Sequence, residues 1–174
     1  MLVIVIGAGV DVGAKAADKD GFVDALEPLL PTAFRLAYAM LRNRDDAEDA
    51  VQEAAANAWR KRSTFRAGAE LRPWFLAIVA NECRMSMRRN RRSIPAEAAL
   101  PQPDSDEAAE LHRALARIDM KSRLVLVLRY YLDLPFDEVG RTLGISAGAA
   151  RVRVHRALRK LRPAFEVEEG PGDG

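Results

Sequence analysis

The sequence predicts an all-α protein of two small helical domains joined by a flexible linker, the second domain containing a helix-turn-helix. Three observations carry this. Past residue 21 the apolar residues recur at helical spacing, and no alternating run of strand length interrupts them. Residues 93–106, SIPAEAALPQPDSD, hold three prolines and several acids without a helical stripe, which marks a linker. Near the C-terminus, Gly144-Ile145-Ser146 joins two short amphipathic stretches, the second rich in arginine. The expected boundaries are an extension at 1–21, a first domain at 22–92, the linker at 93–106, a second domain at 107–165 and an acidic tail at 166–174.

The first thirteen residues, MLVIVIGAGVDVG, invite two functional readings, and both fail. Gly7, Gly9 and Gly13 are spaced one residue too far apart for a dinucleotide-binding turn, and helices rather than a βαβ unit come after them. Ala14-Lys15 stands where a phosphate-cradling loop requires Gly-Lys-Ser/Thr. The apolar run is about half of the ~20 residues that a membrane span needs. No basic residue precedes it as in a signal peptide. A disordered extension, or a misplaced start, is the expectation, with no membrane insertion.

The first helical stretch, 22–42, places Leu26, Leu30, Ala33, Ala37 and Leu41 on one side. Pro31 interrupts it, so a kink or a fresh helix start is expected there. The next helix opens with Asn43 or Asp45 as its cap. Asp45, Asp46, Glu48 and Asp49 lie where the helix dipole favours anions. Its stripe of Ala47, Val51, Ala54 and Ala58 is narrow enough for close helix approach, while Asp46, Asp49 and Glu53 share another face. FRAGAELRPW, 65–74, is a loop containing Gly68, with Pro73 in the first turn of a third helix. This helix carries Phe75, Ile78, Val79 and Met85 inward and ends among Arg84, Arg88, Arg89, Arg91 and Arg92.

Four short helices are expected in the second domain. DEAAELHRALARI repeats Ala108, Leu111, Leu115 and Ile118, and KSRLVLVLRYYLD comes next with Asp119 or Ser122 as cap. PFDEVGRTL runs from Pro135 to Gly144, and SAGAARVRVHRALRKL starts at the cap Ser146. Val139, Leu143, Ile145, Ala150 and Val154 form the small core of the helix-turn-helix. With these buried, Gly148, Ala149, Arg151, Val152, Arg153, His155, Arg156 and Arg159 face outward. Small residues at the helix start and arginines along it suit a major groove.

Charge divides the chain in the same places. Residues 22–92 hold 13 basic and 9 acidic side chains (+4), 93–122 hold 3 and 6 (−3), and 123–163 hold 9 and 3 (+6). Two basic blocks separated by an acidic one point to two nucleic-acid-facing modules. Within them the contrast is sharper. Five of the nine residues from Asp45 to Glu53 are acidic, whereas 150–162 carries five arginines, one lysine and no acid. Cys83 is the single cysteine and His112 and His155 the only histidines, so an intrachain disulfide and a Cys/His zinc site are excluded. A reducing cytoplasm fits. No nucleophile–base set or carboxylate pair suggests catalysis, and no cofactor is implied.

With these residues in place, the chain resembles a bacterial RNA polymerase sigma factor of the extracytoplasmic-function (ECF) group of the sigma-70 family. The resemblance spans about residues 22–163. DDAEDAVQEAAANAWRK is similar to the helix that docks on the clamp of the polymerase β′ subunit. FRAGAELRPWFLAIVANECRMSMRRNRR is similar to the promoter-melting loop and the helix reading the −10 element. LVLVLRYYLDLPFDEVGRTLGISAGAARVRVHRALRKL is similar to the domain that binds the −35 element.

The resemblance implies a partner in core RNA polymerase, through its β′ clamp and β subunits, and a second in promoter DNA. It implies polymerase contacts from Asp46, Asp49, Gln52 and Glu53. It implies −10 contacts from Phe65, Arg66, Gly68, Asn81, Arg84, Arg88 and Arg89, with a flipped base held by residues 65–71. It implies −35 contacts from Ser146, Gly148, Ala149, Arg151, Arg153 and Arg156. Trp59 and Trp74 invite base stacking, though packing is the weightier reading. An anti-sigma factor is a common partner in the group.

The sequence also departs from the pattern. GAARVR at 148–153 stands where many relatives have Gly-Thr-Val-Lys-Ser-Arg, so Ala149 and Val152 replace hydroxyl residues and apolar contact with thymine methyls becomes available. Gly140 stands where alanine is common and should cost about 1 kcal/mol of helix stability. The competing reading is a stand-alone helix-turn-helix regulator, which would have no need of residues 45–92.

Overall fold

The computed structural model describes residues 19–66, 68–90, 114–115 and 118–162, and among them there is no strand. The extension up to residue 18, the linker, the helix expected before Ala114 and the acidic tail lie outside the described residues.

Helix α1 spans Lys19–Leu26, a 3₁₀ turn Glu27–Leu29 comes next, and α2 spans Leu30–Leu41. Two prolines explain this division. Pro28 and Pro31 each stand in the first positions of the segment they open, where a missing N–H costs nothing. Arg42 ends α2 in the left-handed region (φ 60°), and α3, Arg44–Lys61, begins at once. The cap is Asn43, whose Oδ1 accepts a hydrogen bond from the Asp46 N–H at 3.0 Å. Ala47, Ala50, Val51, Ala54 and Ala58 are all buried, as the small-residue stripe requires.

A second 3₁₀ turn, Arg62–Thr64, leads into the loop, and α4 spans Leu71–Asn90. It buries Leu71, Phe75, Leu76, Val79, Ala80 and Cys83. Met85, expected inward, is instead 45% exposed. The buried residues recur through Phe75, Val79 and Cys83, and two further residues carry Met85 off that face. Phe22 of α1 is fully buried and meets Trp59 and Trp74 edge-on, with ring centroids 6.2 and 6.4 Å away. The tryptophans are therefore packing residues, the weightier of the two expectations.

In the second domain α5 spans Met120–Leu126, capped by Asp119, whose Oδ1 accepts from the Ser122 N–H at 3.0 Å. It runs on through a π-type turn, Val127–Tyr131, closed by the Leu132 N–H donating to the Val127 carbonyl at 2.9 Å. Helix α6 spans Phe136–Leu143 and α7 spans Ala147–Leu161. Between them Gly144 takes φ 66°, the left-handed conformation that lets the chain reverse in three residues. Val139, Ala150 and Val154 are buried in the angle of the two helices, with Leu143 and Ile145 half-buried at its rim.

The two helical units pack on each other within one contiguous apolar core. Polar contacts cross the junction. Arg123, held within its own unit by donating from Nε to the Leu115 carbonyl at 2.9 Å, donates from a terminal nitrogen to the Met40 carbonyl of the other unit at 3.2 Å. Arg35 donates to the Tyr131 carbonyl at 2.8 Å and lies over that ring. Arg141 pairs with Glu70 at 3.1 Å.

Candidate nucleic-acid and polymerase interface

Three exposed surfaces emerge once the cores are assigned. On α3, burial of the alanine stripe leaves Asp49, Gln52 and Glu53 exposed and Asp46 half-exposed. Asp46, Asp49 and Glu53 recur at i, i+3 and i+7, so the helix collects them on one side. Glu48, on the neighbouring face, is held by Arg44 at 2.9 Å. The result is a negative ridge standing on a rigid, closely packed helix.

The second surface joins the 62–71 loop to the outer face of α4. Phe65 is half-buried, its ring centroid 5.1 Å from that of Trp74, which ties the loop to α4. Arg62 lies 4.1 Å over the Trp59 ring and donates to the Trp59 carbonyl, so the loop's start is also pinned. Arg66 and Gly68 are exposed, and Gly68 takes φ 80°. Beyond them Asn81, Arg84 and Arg88 line one exposed face of α4, with Arg89 beside it. Asn81 Oδ1 accepts from Arg84 at 3.3 Å, which orients both side chains. Exposed Met85 sits among them, an apolar element of this surface that periodicity alone assigns to the core.

The third surface is α7. Ser146 caps it, its Oγ accepting from the Ala149 N–H at 3.1 Å. Gly148, Arg151, Val152, Arg153, His155, Arg156 and Arg159 are exposed and Ala149 half-exposed. Arg151 is positioned by stacking over the Phe136 ring at 5.0 Å, the same ring that Arg129 approaches at 5.2 Å. Arg153, Arg156 and Arg159 have no acid within ion-pair distance among the described residues. Their charge is free for an external anion.

The sequence missed the charged residues between the two units. Arg72 Nε lies 3.0 Å from Glu138 Oε1, and Glu138 is buried. The two atoms are close without the alignment of a hydrogen bond, so the attraction is mainly coulombic. Burial pushes the Glu138 carboxyl up from its ordinary value, while Arg72 acts against that. The signal was present in two charges flanking apolar runs, but their partners lie across the domain boundary.

Comparison with known proteins decides what these surfaces belong to. Residues 25–93 match the family Sigma-70 region 2, and residues 114–163 match Sigma-70, region 4. The chain belongs to the sigma-70 family. RNA polymerase sigma factor CarQ of Myxococcus xanthus is 33% identical over 158 residues, covering 83% of this chain and 91% of that protein. ECF RNA polymerase sigma factor SigF of Caulobacter vibrioides is 33% identical over 168 residues, covering 91% and 90%. The sigma factor RpoE, in complex with the anti-sigma factor NepR from Bartonella quintana, has a similar structure. Its TM-score is 0.67 at 27% identity, covering 87% of this chain and 99% of that one. This sigma factor is thus of the ECF group. It binds core RNA polymerase and directs promoter-specific initiation through −10 and −35 recognition. No helix among its described residues is long and apolar enough to cross a membrane, and none of their His, Cys, Asp and Glu side chains cluster as a metal site.

Proposed function

We propose that this sigma factor divides its work among the three surfaces, and that charge sign assigns them. The α3 ridge of Asp46, Asp49, Gln52 and Glu53 docks on the polymerase β′ clamp. DNA would be repelled by it, and a positively charged protein surface attracted. Phe65, Arg66 and Gly68, with Asn81, Arg84, Arg88 and Arg89, receive the −10 element. Holding an extracted base offsets the few kcal/mol that flipping costs, and the α4 arginines grip the adjoining phosphates. Ser146, Gly148, Ala149, Arg151, Arg153 and Arg156 of α7 occupy the major groove at the −35 element. An anti-sigma factor, as captured with the relative RpoE, would act by covering these surfaces. The protein works in the cytoplasm as a non-enzymatic subunit.

The observation that carries this reading is the separation of sign: the exposed acids of α3 and the unpaired arginines of α7 stand on separate helices. The test is a pull-down of purified core polymerase with wild-type protein and with Asp49→Ala/Glu53→Ala. Stoichiometric binding of the wild type, weakened by the double substitution, is expected. A folded wild type that fails to bind core overturns the assignment, and would leave a helix-turn-helix regulator.

A further inference from the structure

Helix α7 turns Ala150, Val154 and Ala157 into the core, all of them essentially buried. At about 100° per residue, the direction opposite to these three falls on Gly148, Val152 and Arg159. His155 and Arg156 lie close to that line, and Arg151 and Arg153 project to its two sides. A helix lying in a groove presents its outermost line to the floor and its flanks to the walls. The flanking arginines therefore meet phosphates, and the outermost residues meet base edges.

Two observations single out the first turns of this line. Val152 is 47% exposed, so burial in the core of the described residues does not account for a branched apolar side chain in this position. Gly148, one turn earlier, is helical, and a Cβ built on it would meet nothing within 4 Å. Neither backbone conformation nor internal packing requires a glycine there. Glycine in a helix costs about 1 kcal/mol relative to alanine. What the missing side chain provides is room for an external surface to approach the backbone.

A valine has no hydrogen-bonding group, so it cannot read the nitrogen and oxygen pattern of a base edge. The one apolar feature on the floor of the major groove is the 5-methyl group of thymine. We infer that Val152 is a specificity-determining residue of this sigma factor, contacting a thymine 5-methyl in the −35 element, with Gly148 permitting the close approach. This rests on the reading of α7 as the −35 helix.

The experiment uses the full chain bound to core polymerase. Holoenzyme selects from duplexes randomised over the −35 and −10 segments, and each thymine of the selected −35 segment is then replaced singly by deoxyuracil, which removes only the methyl. The expected result is one thymine at which the replacement weakens wild-type binding about fourfold, the worth of one buried CH₂ group. Val152→Ser should bind the two duplexes equally while keeping wild-type core binding and thermal stability. A selected −35 segment with no methyl effect, or a methyl effect that persists in Val152→Ser, overturns the inference while leaving the assignment of α7 intact. Failure of holoenzyme to enrich any −35 sequence overturns that assignment, and the inference with it.

Discussion

Gly140 shows how a residue's meaning depends on what lies against it. Within α6 alone it is a weak helix former. In the folded chain a Cβ at this position would lie 2.7 Å from the Ile145 carbonyl oxygen and 3.1 Å from the Ala147 nitrogen. Both are backbone atoms, one of the turn and one of the first residue of α7, and the Gly140 carbonyl itself accepts from the Ile145 N–H at 2.9 Å. The turn closes onto α6 more tightly than alanine allows. Gly140→Ala should therefore lower stability by about 1–2 kcal/mol in chemical denaturation, despite the better helix propensity. A gain would mean that the turn moves away freely. Cys83 makes the second prediction at this scale. Fully buried in the α4 core, its thiol is pushed up to about 12 by desolvation. Iodoacetamide at pH 8 should leave native protein unmodified and label it fully after unfolding in guanidinium. Burial suits a lone cysteine, a small residue of a type often found in cores. The contact that makes Gly140 necessary was not legible in the sequence, because it joins a helix to a turn whose closeness no local pattern encodes.

Among the elements, two boundaries were legible from single residues: Pro31 stands in the first turn of a fresh helix, and Gly144 ends α6, whereas the earlier break at Pro28 was not expected. The choice between caps was settled by hydrogen bonds. Asn43 rather than Asp45 holds the start of α3, so Asn43→Ala should cost about 1 kcal/mol and Asp45→Ala little. Thermal denaturation of the two variants separates them. The π-type turn at Val127–Tyr131 was not legible. The run LVLVLRYYL is apolar almost throughout, so its periodicity carries no sign of one added residue per turn. Asp119 illustrates an element held from outside: it caps α5 and also pairs with Lys160 of α7. These bonds hold its carboxyl well below the usual carboxylate range. A lowered folded pKa gives stability that is present above the unfolded value of 3.8 and lost as pH falls below it. Asp119→Asn should remove that part of the acid sensitivity, measured as the pH dependence of the denaturation midpoint.

The whole molecule poses a problem of length. Elements named −35 and −10 are about 25 base pairs apart, which is roughly 85 Å at 3.4 Å per step of B-form DNA. Across the junction, Arg72 and Glu138 are 3.0 Å apart. Region 2 and region 4 cannot hold both elements while this pair is intact, so it must break when the promoter is bound. The composition of the junction makes the break sensitive to pH. Burial raises the Glu138 carboxyl above its ordinary 4.5, so the packed state binds the proton more tightly than the separated one. The stabilisation this provides is full below 4.5 and is lost as pH rises through the raised value. Packing should thus tighten on acidification from neutral pH, in the range where Asp119 is still ionised. Dyes on the two domains, followed by energy transfer, should report closer approach at pH 5 than at pH 8. Glu138→Gln should abolish the difference. Arg72→Ala should loosen the junction at pH 8, because it strips a buried carboxylate of its countercharge. Equal energy transfer in wild type and Arg72→Ala would show that the apolar contacts and the remaining polar contacts of the junction hold the domains together, and that this ion pair contributes nothing to the closed form.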